Sequence, residues 1–258
     1  MGIGWRPLRG GTRLERIEHF HAWLGGGDPL REPVPEGVAI YPPLYQLKVT
    51  LRGIRPPIWR RVLVPGNVTL ARLHRIIQNV MGWWNYHLYS FTIRGQEFSE
   101  GEDEYDSGFL QATGHRVFQL DLRPRVRFTY LYDFGDGWNH EVLLERVLQP
   151  NLEEQYPLCV AGARACPPED SGGIGGYEQL LRVLADPSRE DHQSMLEWVG
   201  GHYDPERFEL QLANMTLHRA RLREAKSARD RTLGWRALSL AQSQPQQQPS
   251  RRPRWAGS

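Results

Sequence analysis

The sequence predicts an α+β fold: a single domain with a mostly antiparallel sheet of about five strands, one long helix packed on it, and a helical C-terminal part. Three observations predict it. Short runs of alternating or β-prone residues, separated by turn residues, recur between Leu44 and Leu148. One strongly amphipathic stretch, Thr69 to Met81, interrupts them. After Pro150 the texture changes to a Gly/Pro-rich loop and then to helical spacing.

Leu44 to Arg52 sets Tyr45, Leu47, Val49 and Leu51 on one face and Gln46, Lys48, Thr50 and Arg52 on the other, the pattern of a half-buried strand. Arg55-Pro56-Pro57 turns the chain, and Ile58 to Val64 follows as a second strand. In the helix, Thr69 is the expected N-cap and Gly82 the stop, with Leu70, Leu73, Ile76, Ile77, Val80 and Met81 forming one stripe. His87 to Arg94, Val126 to Phe134 and Trp138 to Leu148 complete the strands. Cys159 to Gly176 reads as loop, Tyr177 to Ala185 and Gln193 to Val199 as short helices. Asp204-Pro205-Glu206 carries the signature of a helix start, with a capping acid, Pro at the first helical position and an acid near the positive dipole end.

Four regions result: a helical extension and linker over 1–41, with a helix at Thr12 to Leu24; an α+β domain over 42–216; a basic helical extension over 217–241; and a Gln/Pro/Ser/Arg tail over 242–258 read as disordered. Glu100 to Asp106 reads as an acidic loop. No run of 18 apolar residues spans a membrane, and the N-terminus lacks a secretory pattern. Two cysteines are too few for a disulfide framework, so a cytoplasmic location is expected.

The net charge of +2 conceals an asymmetry. From Leu217 onward ten Arg and Lys stand against Glu224 and Asp230, a charge of +8, which leaves −6 on the rest. Such a segment is either a solvated helix end or a contact for nucleic acid or an acidic protein, through Arg219 to Arg236. Strand arginines such as Arg60 and Arg61 are further candidates for that contact.

Tyr132-Asp133-Phe134-Gly135-Asp136-Gly137-Trp138-Asn139-His140 carries the chemistry. Asp-Gly between strand-like runs signals a two-residue type I′ turn. With Asp136-Gly137 in that turn, Asp133 lies opposite His140, close enough to hydrogen-bond or to share a cation. The alternative is a structural pair at a sheet edge, with Asp136 a turn former. His87, opening a strand after Trp83-Trp84-Asn85-Tyr86, projects at the same sheet end. Pro167-Pro168-Glu169-Asp170 stiffens a loop that, folded back over the hairpin, adds two carboxylates, and Asp170 or Ser171 can cap the following helix. The candidate catalytic residues are therefore His87, Asp133, Asp136, His140, Glu169 and Asp170. Candidate metal ligands are Asp133 and His140, with Cys159 and Cys166 in a mixed site. No cofactor is expected, a divalent metal being the one exception this set admits.

These motifs resemble the Ri-plasmid open-reading-frame-three family (plasmid pRiA4b ORF-3-like and insertion-sequence passenger-like proteins). The resemblance runs from Tyr41 to Thr216. It is carried by residues 45–51, 58–61, 69–78, 81–83, 87–91, 132–140, Cys166-Pro167-Pro168-Glu169-Asp170 with Gly172-Gly173, and 203–208. It implies one α+β domain in a bacterial or mobile-element setting and supplies no activity. At Ser171 the sequence departs from the family pattern, which has a further Cys there, and this weighs against a cysteine–metal role for the loop. The resulting expectation is a non-catalytic binding or accessory module; the alternative is a metal-dependent hydrolase or nuclease with its Asp/His/Glu site at the Asp-Gly hairpin.

Overall fold

Alternation of apolar and polar residues makes β1 (Leu44–Leu51) and β2 (Trp59–Pro65), whose alternate side chains are buried. In the computed structural model, which describes residues 42–100, 109–151 and 153–242, these are followed by α1 (Leu70–Met81), β3 (Tyr89–Ile93), β4 (Gln96–Ser99), β5 (Leu110–Gln111), a 3-10 turn at Val117–Leu120, β6 (Arg127–Tyr132), β7 (Trp138–Leu148), β8 (Leu158–Ala163), α2 (Gly173–Leu184), α3 (His192–Trp198) and α4 (Leu210–Gln242). The expected helix at Thr12–Leu24, most of the acidic loop after Glu100 and the tail beyond Gln242 lie outside the described residues. The chain divides into two units, one ending at Leu217 and the other beginning at His218. No helix among the described residues is long and apolar enough to cross a membrane.

The strands form one sheet in the order β5-β4-β3-β6-β7-β1-β2-β8, antiparallel throughout except for the β4–β5 pair. Among the described residues eight strands replace the five or so expected. Two of the extra three, β4 and β5, have four and two residues, too few to show a period. The third, β8, reads Leu-Cys-Val-Ala-Gly-Ala, small residues without alternation; its strand state comes from pairing with β2.

Thr69 caps α1, accepting from the Arg72 amide at 3.1 Å, and Gly82 closes it in the left-handed region. Its stripe of Leu70, Leu73, Ile76, Ile77 and Val80 is buried, each side chain contributing about 1.5–3 kcal/mol of apolar burial. The same face carries two polar residues that lock it to the sheet. The His74 ring stacks on Tyr89 at 3.6 Å with 5° between planes, and its Nδ1 lies 2.7 Å from the Tyr130 hydroxyl. Gln78 Nε2 donates to that hydroxyl at 2.9 Å.

The hairpin departs from the two-residue turn. Tyr132 pairs with Trp138, Leu131 with Asn139 and Tyr130 with His140. Five residues, Asp133 to Gly137, therefore connect β6 and β7, and Asp133 does not face His140. The cause is Asp133. It sits in the left-handed region (φ 57°), its Oδ1 accepts from the Gly135 amide at 2.9 Å, and its carbonyl accepts from the Gly137 amide at 2.7 Å. A carboxylate bonding its own backbone two residues on competes with the Asp-Gly turn, and here it wins. His140 instead points into the core, fully buried, with Nδ1 3.2 Å from the Tyr130 carbonyl.

A second expectation fails at Asp204-Pro205-Glu206. Asp204 Oδ1 accepts from the Glu206 amide at 2.9 Å and Arg207 N donates to the Asp204 carbonyl at 3.2 Å, so the segment is a turn. The Pro205 carbonyl is tied to the Ala165 amide at 3.0 Å. Phe208 is held under Arg60, whose guanidinium lies 4.2 Å from its ring centroid. Those tertiary contacts delay the helix to Leu210.

Burial holds both His74 and His140 at a pKa of about 4, so both are neutral at pH 7. Depressed folded-state values mean stability is complete above the unfolded-state pKa of about 6.5 and is lost as pH falls from there toward 4, because the unfolded chain takes up protons first. Urea denaturation across pH 7.5 to 4 is expected to show a loss on the order of 3 kcal/mol per histidine, with a smaller loss in His140→Phe. A flat profile, or one unchanged by that substitution, contradicts this account of the core.

Candidate metal centre

The antiparallel pairing of β3 with β6, Tyr89 opposite Tyr132, brings the residues before β3 and those after β6 to one end of the sheet. The Asp133 amide donates to the Leu88 carbonyl at 2.9 Å and extends the ladder by one step. His87 and Asp133 are thus neighbours, with Nε2 3.6 Å from Oδ2. Oδ1 of Asp133 is engaged by the turn amides of Gly135 and Asp136, which aims Oδ2 at the imidazole.

The third member arrives from the loop between β8 and α2. Trp83 Nε1 donates to the Pro167 carbonyl at 2.9 Å. Glu169 Oε2 accepts from the Trp84 amide at 2.7 Å, and its Oε1 accepts from the Tyr132 hydroxyl. Burial, and then the bond to Glu169, raise the Tyr132 phenol well above its ordinary pKa, so it stays a donor. The Gly172 amide donates to Asp136 Oδ2 at 3.1 Å. These bonds leave Asp170, in the left-handed region, with Oδ1 3.1 Å from His87 Nε2.

His87, Asp133 and Asp170 form the cluster of metal-ligating side chains found among the described residues, one donor atom from each lying within 4.8 Å of the others. The side chain of Asp133 is 10% exposed, that of His87 29% and that of Asp170 68%, so the cluster opens on one side. Donor atoms around a cation at bonds of about 2.2 Å stand about 3.1 Å apart in an octahedron and about 3.6 Å in a tetrahedron. The separations at Nε2, 3.1 and 3.6 Å, lie within the range between ligand atoms of one cation. Nε2 is buried yet has no hydrogen bond of acceptable direction, despite the 3.1 Å approach of a carboxylate. A nitrogen between two carboxylates without hydrogen-bond geometry suits a shared cation better than a direct contact. One imidazole and two carboxylates match divalent ions such as Mn²⁺ or Zn²⁺.

The other sequence candidates fall elsewhere. His140 belongs to the core, with a bare Nε2. Cys159 is buried, its amide bonded to Asn214 Oδ1. Cys166 lies against Met81 Sδ at 3.3 Å and Arg60. Asp136 and Glu169 fasten the loop to the hairpin instead of joining the cluster. Neither Asp170 nor Ser171 caps α2; the cap position is Gly172, without a side-chain bond. Tyr132 is the residue sequence reasoning passed over. Its place as the last strand residue before the turn marks it, but only the docked loop shows its task.

Two glycines permit this docking. Gly173, at φ 66°, would place a Cβ 2.5 Å from the Asp136 carbonyl oxygen, and Gly176 one 1.8 Å from the Ser171 carbonyl oxygen.

An α+β protein with one extended sheet and a His–carboxylate cluster at its end is the class these features define. Residues 43–212 match the family described as Plasmid pRiA4b ORF-3-like protein, and the chain belongs to that family. The chain is also similar to "Uncharacterized protein y4hQ" of Sinorhizobium fredii, 38% identical over 191 residues that cover 72% of this chain and 97% of that one. Among solved structures it resembles the protein of unknown function MM3350 of Methanosarcina mazei, at 36% identity and a TM-score of 0.61, covering 67% of this chain and 98% of that one.

Gly173→Ala and Gly176→Ala are expected to lower the unfolding free energy by roughly 2 kcal/mol or more each in urea denaturation, since backbone atoms stand in the way. Gly175→Ala, with nothing within 4 Å of its Cβ, should change it by less than about 1 kcal/mol. Equal effects at all three positions contradict the packing described.

Proposed function

We propose that this chain binds a divalent cation at His87, Asp133 and Asp170 and uses it in hydrolysis. The observation that supports this reading is the buried, hydrogen-bond-free Nε2 of His87 between two carboxylate oxygens. Three protein ligands with one open side leave positions for water and substrate. A cation held by these three side chains would supply Lewis acidity, lowering the pKa of a water on the open side for attack on a phosphate or carboxylic ester, whose alcohol would leave with a proton. Glu169, held by Tyr132 and the Trp84 amide, fixes the loop that carries Asp170. Asp133→Asn keeps the turn-forming oxygen and removes the ligand charge, so it separates metal binding from folding.

Titration with Mn²⁺, followed by electron paramagnetic resonance, is expected to show one tight site. Asp133→Asn, His87→Ala and Asp170→Asn should weaken it by at least the roughly 10–100-fold that a lesser metal-site change produces, and Cys166→Ala should leave it unchanged. Turnover of bis(p-nitrophenyl) phosphate should need the metal and disappear in the same three variants. Unaltered Mn²⁺ affinity in Asp170→Asn contradicts the reading, as does turnover in excess chelator.

A non-catalytic nucleic-acid contact through the C-terminal helix is a second reading. One observation favours it: Arg219, Arg223 and Lys226 are exposed at i, i+4 and i+7, on one helix face. Arg60 and Arg61 cannot share this task. Arg60 is buried on the Val80 and Ala163 carbonyls, and Arg61 forms a two-pronged pair with Glu145. Duplex DNA affinity should fall steeply with salt, and Arg219→Glu, Arg223→Glu and Lys226→Glu together should abolish it. Binding unaffected by that triple change removes this reading.

A further inference from the structure

Among the described residues no large hydrophobic side chain is more exposed than Trp84, at 73%, or Tyr86, at 74%. Their ring planes differ by 8° and their centroids lie 6.5 Å apart. Slack chain does not explain this exposure. The Trp84 amide is bonded to Glu169 Oε2 at 2.7 Å and the Tyr86 amide to the Tyr132 hydroxyl at 3.1 Å. Asn85, between them, adopts the left-handed region at φ 62°, and its Oδ1 bonds the buried His74. A strained residue and three anchors thus hold two rings out in solvent. Glu169 and Tyr132, two of those anchors, also position the loop and hairpin of the cation cluster, and His87 follows Tyr86 directly.

We infer that Trp84 and Tyr86 are a stacking platform for successive bases of single-stranded nucleic acid whose phosphate reaches the cation at His87, Asp133 and Asp170; this rests on the metal-centre reading and supplies its substrate class. Aromatic rings held in solvent beside a cation with open positions suit a ligand that pairs planar π-faces with anionic oxygens. Two parallel rings address two bases, whereas a mononucleotide needs one. An apolar protein partner would desolvate the adjoining carboxylates of Glu169 and Asp170, and the largely exposed Asp170 would gain no compensating bond from it. Without the cation those carboxylates repel a polyanion, so binding through this platform requires metal.

The test uses the full chain carrying Arg219→Glu, Arg223→Glu and Lys226→Glu, which silences the basic helix, and a fluorescently labelled dT12 oligonucleotide followed by anisotropy. Binding is expected with Mn²⁺ and not with chelator. Trp84→Ala with Tyr86→Ala should weaken it at least about tenfold, as stacking energies imply, while Mn²⁺ affinity stays as in the parent. Equal binding in chelator, equal binding by the double variant, or competition by dTMP as effective as by unlabelled dT12 overturns the inference. Mn²⁺ binding without dT12 binding overturns it and leaves the metal centre standing; no Mn²⁺ binding by the parent overturns both.

Discussion

The structure turns on the backbone of Asp133. Held in the left-handed region, it spends one carboxylate oxygen on the amides of its own turn, its carbonyl on Gly137 and its amide on Leu88. Those bonds make the hairpin connection five residues long and so fix the register of β6 against β7. That register sends His140 into the core and leaves Tyr132 as the last paired residue. The carboxylate oxygen left over faces His87. A residue that sets a turn and aims a carboxylate oxygen at an imidazole leaves little freedom to either task, and such strain is characteristic of sites where geometry matters.

The loop before α2 completes the arrangement because everything it touches is already fixed. Tyr132 is a strand residue with a buried, high-pKa phenol, Trp84 follows the capped end of α1, and Asp136 lies in the turn that Asp133 builds. Glu169, Gly172 and the Pro167 carbonyl dock on these three neighbouring structures. Asp170 itself is two-thirds exposed, so its position is set by its neighbours along the chain and not by its own burial. Distributing the three side chains this way joins the cluster to the integrity of the hairpin: a change that shifts the β6–β7 register moves Asp133 and the loop's footing together.

The sequence showed those elements whose periodicity was long enough to read. β1 alternates buried and half-exposed positions from Tyr45 to Leu51 and β7 from Trp138 to Leu144, and α1 repeats its stripe across three turns between a Thr cap and a Gly stop. β4, β5 and β8 stayed hidden because pairing partners, not residue pattern, make them strands. At the hairpin two local signals compete, an Asp-Gly turn and an Asp bonding its own loop, and nothing in a one-dimensional pattern ranks them. The two-residue turn and the observed connection differ in register by three residues, an odd number, so the residue facing His140 is Tyr130 and not Asp133. The same residues, His87, Asp133 and Asp170, were all visible as candidates. Which imidazole joins the carboxylates depended on that register and on a loop contact that spans more than eighty residues of sequence.

The central claim, that the Asp133 turn and the docked loop build a cation site with His87, is tested most directly by anomalous diffraction from crystals soaked in Mn²⁺. The account predicts one strong peak at bonding distance from His87 Nε2, Asp133 Oδ2 and Asp170 Oδ1, with water or solvent ligands on its open side. A map with no peak there, or with the ion bound instead at His140 or the cysteines, contradicts it.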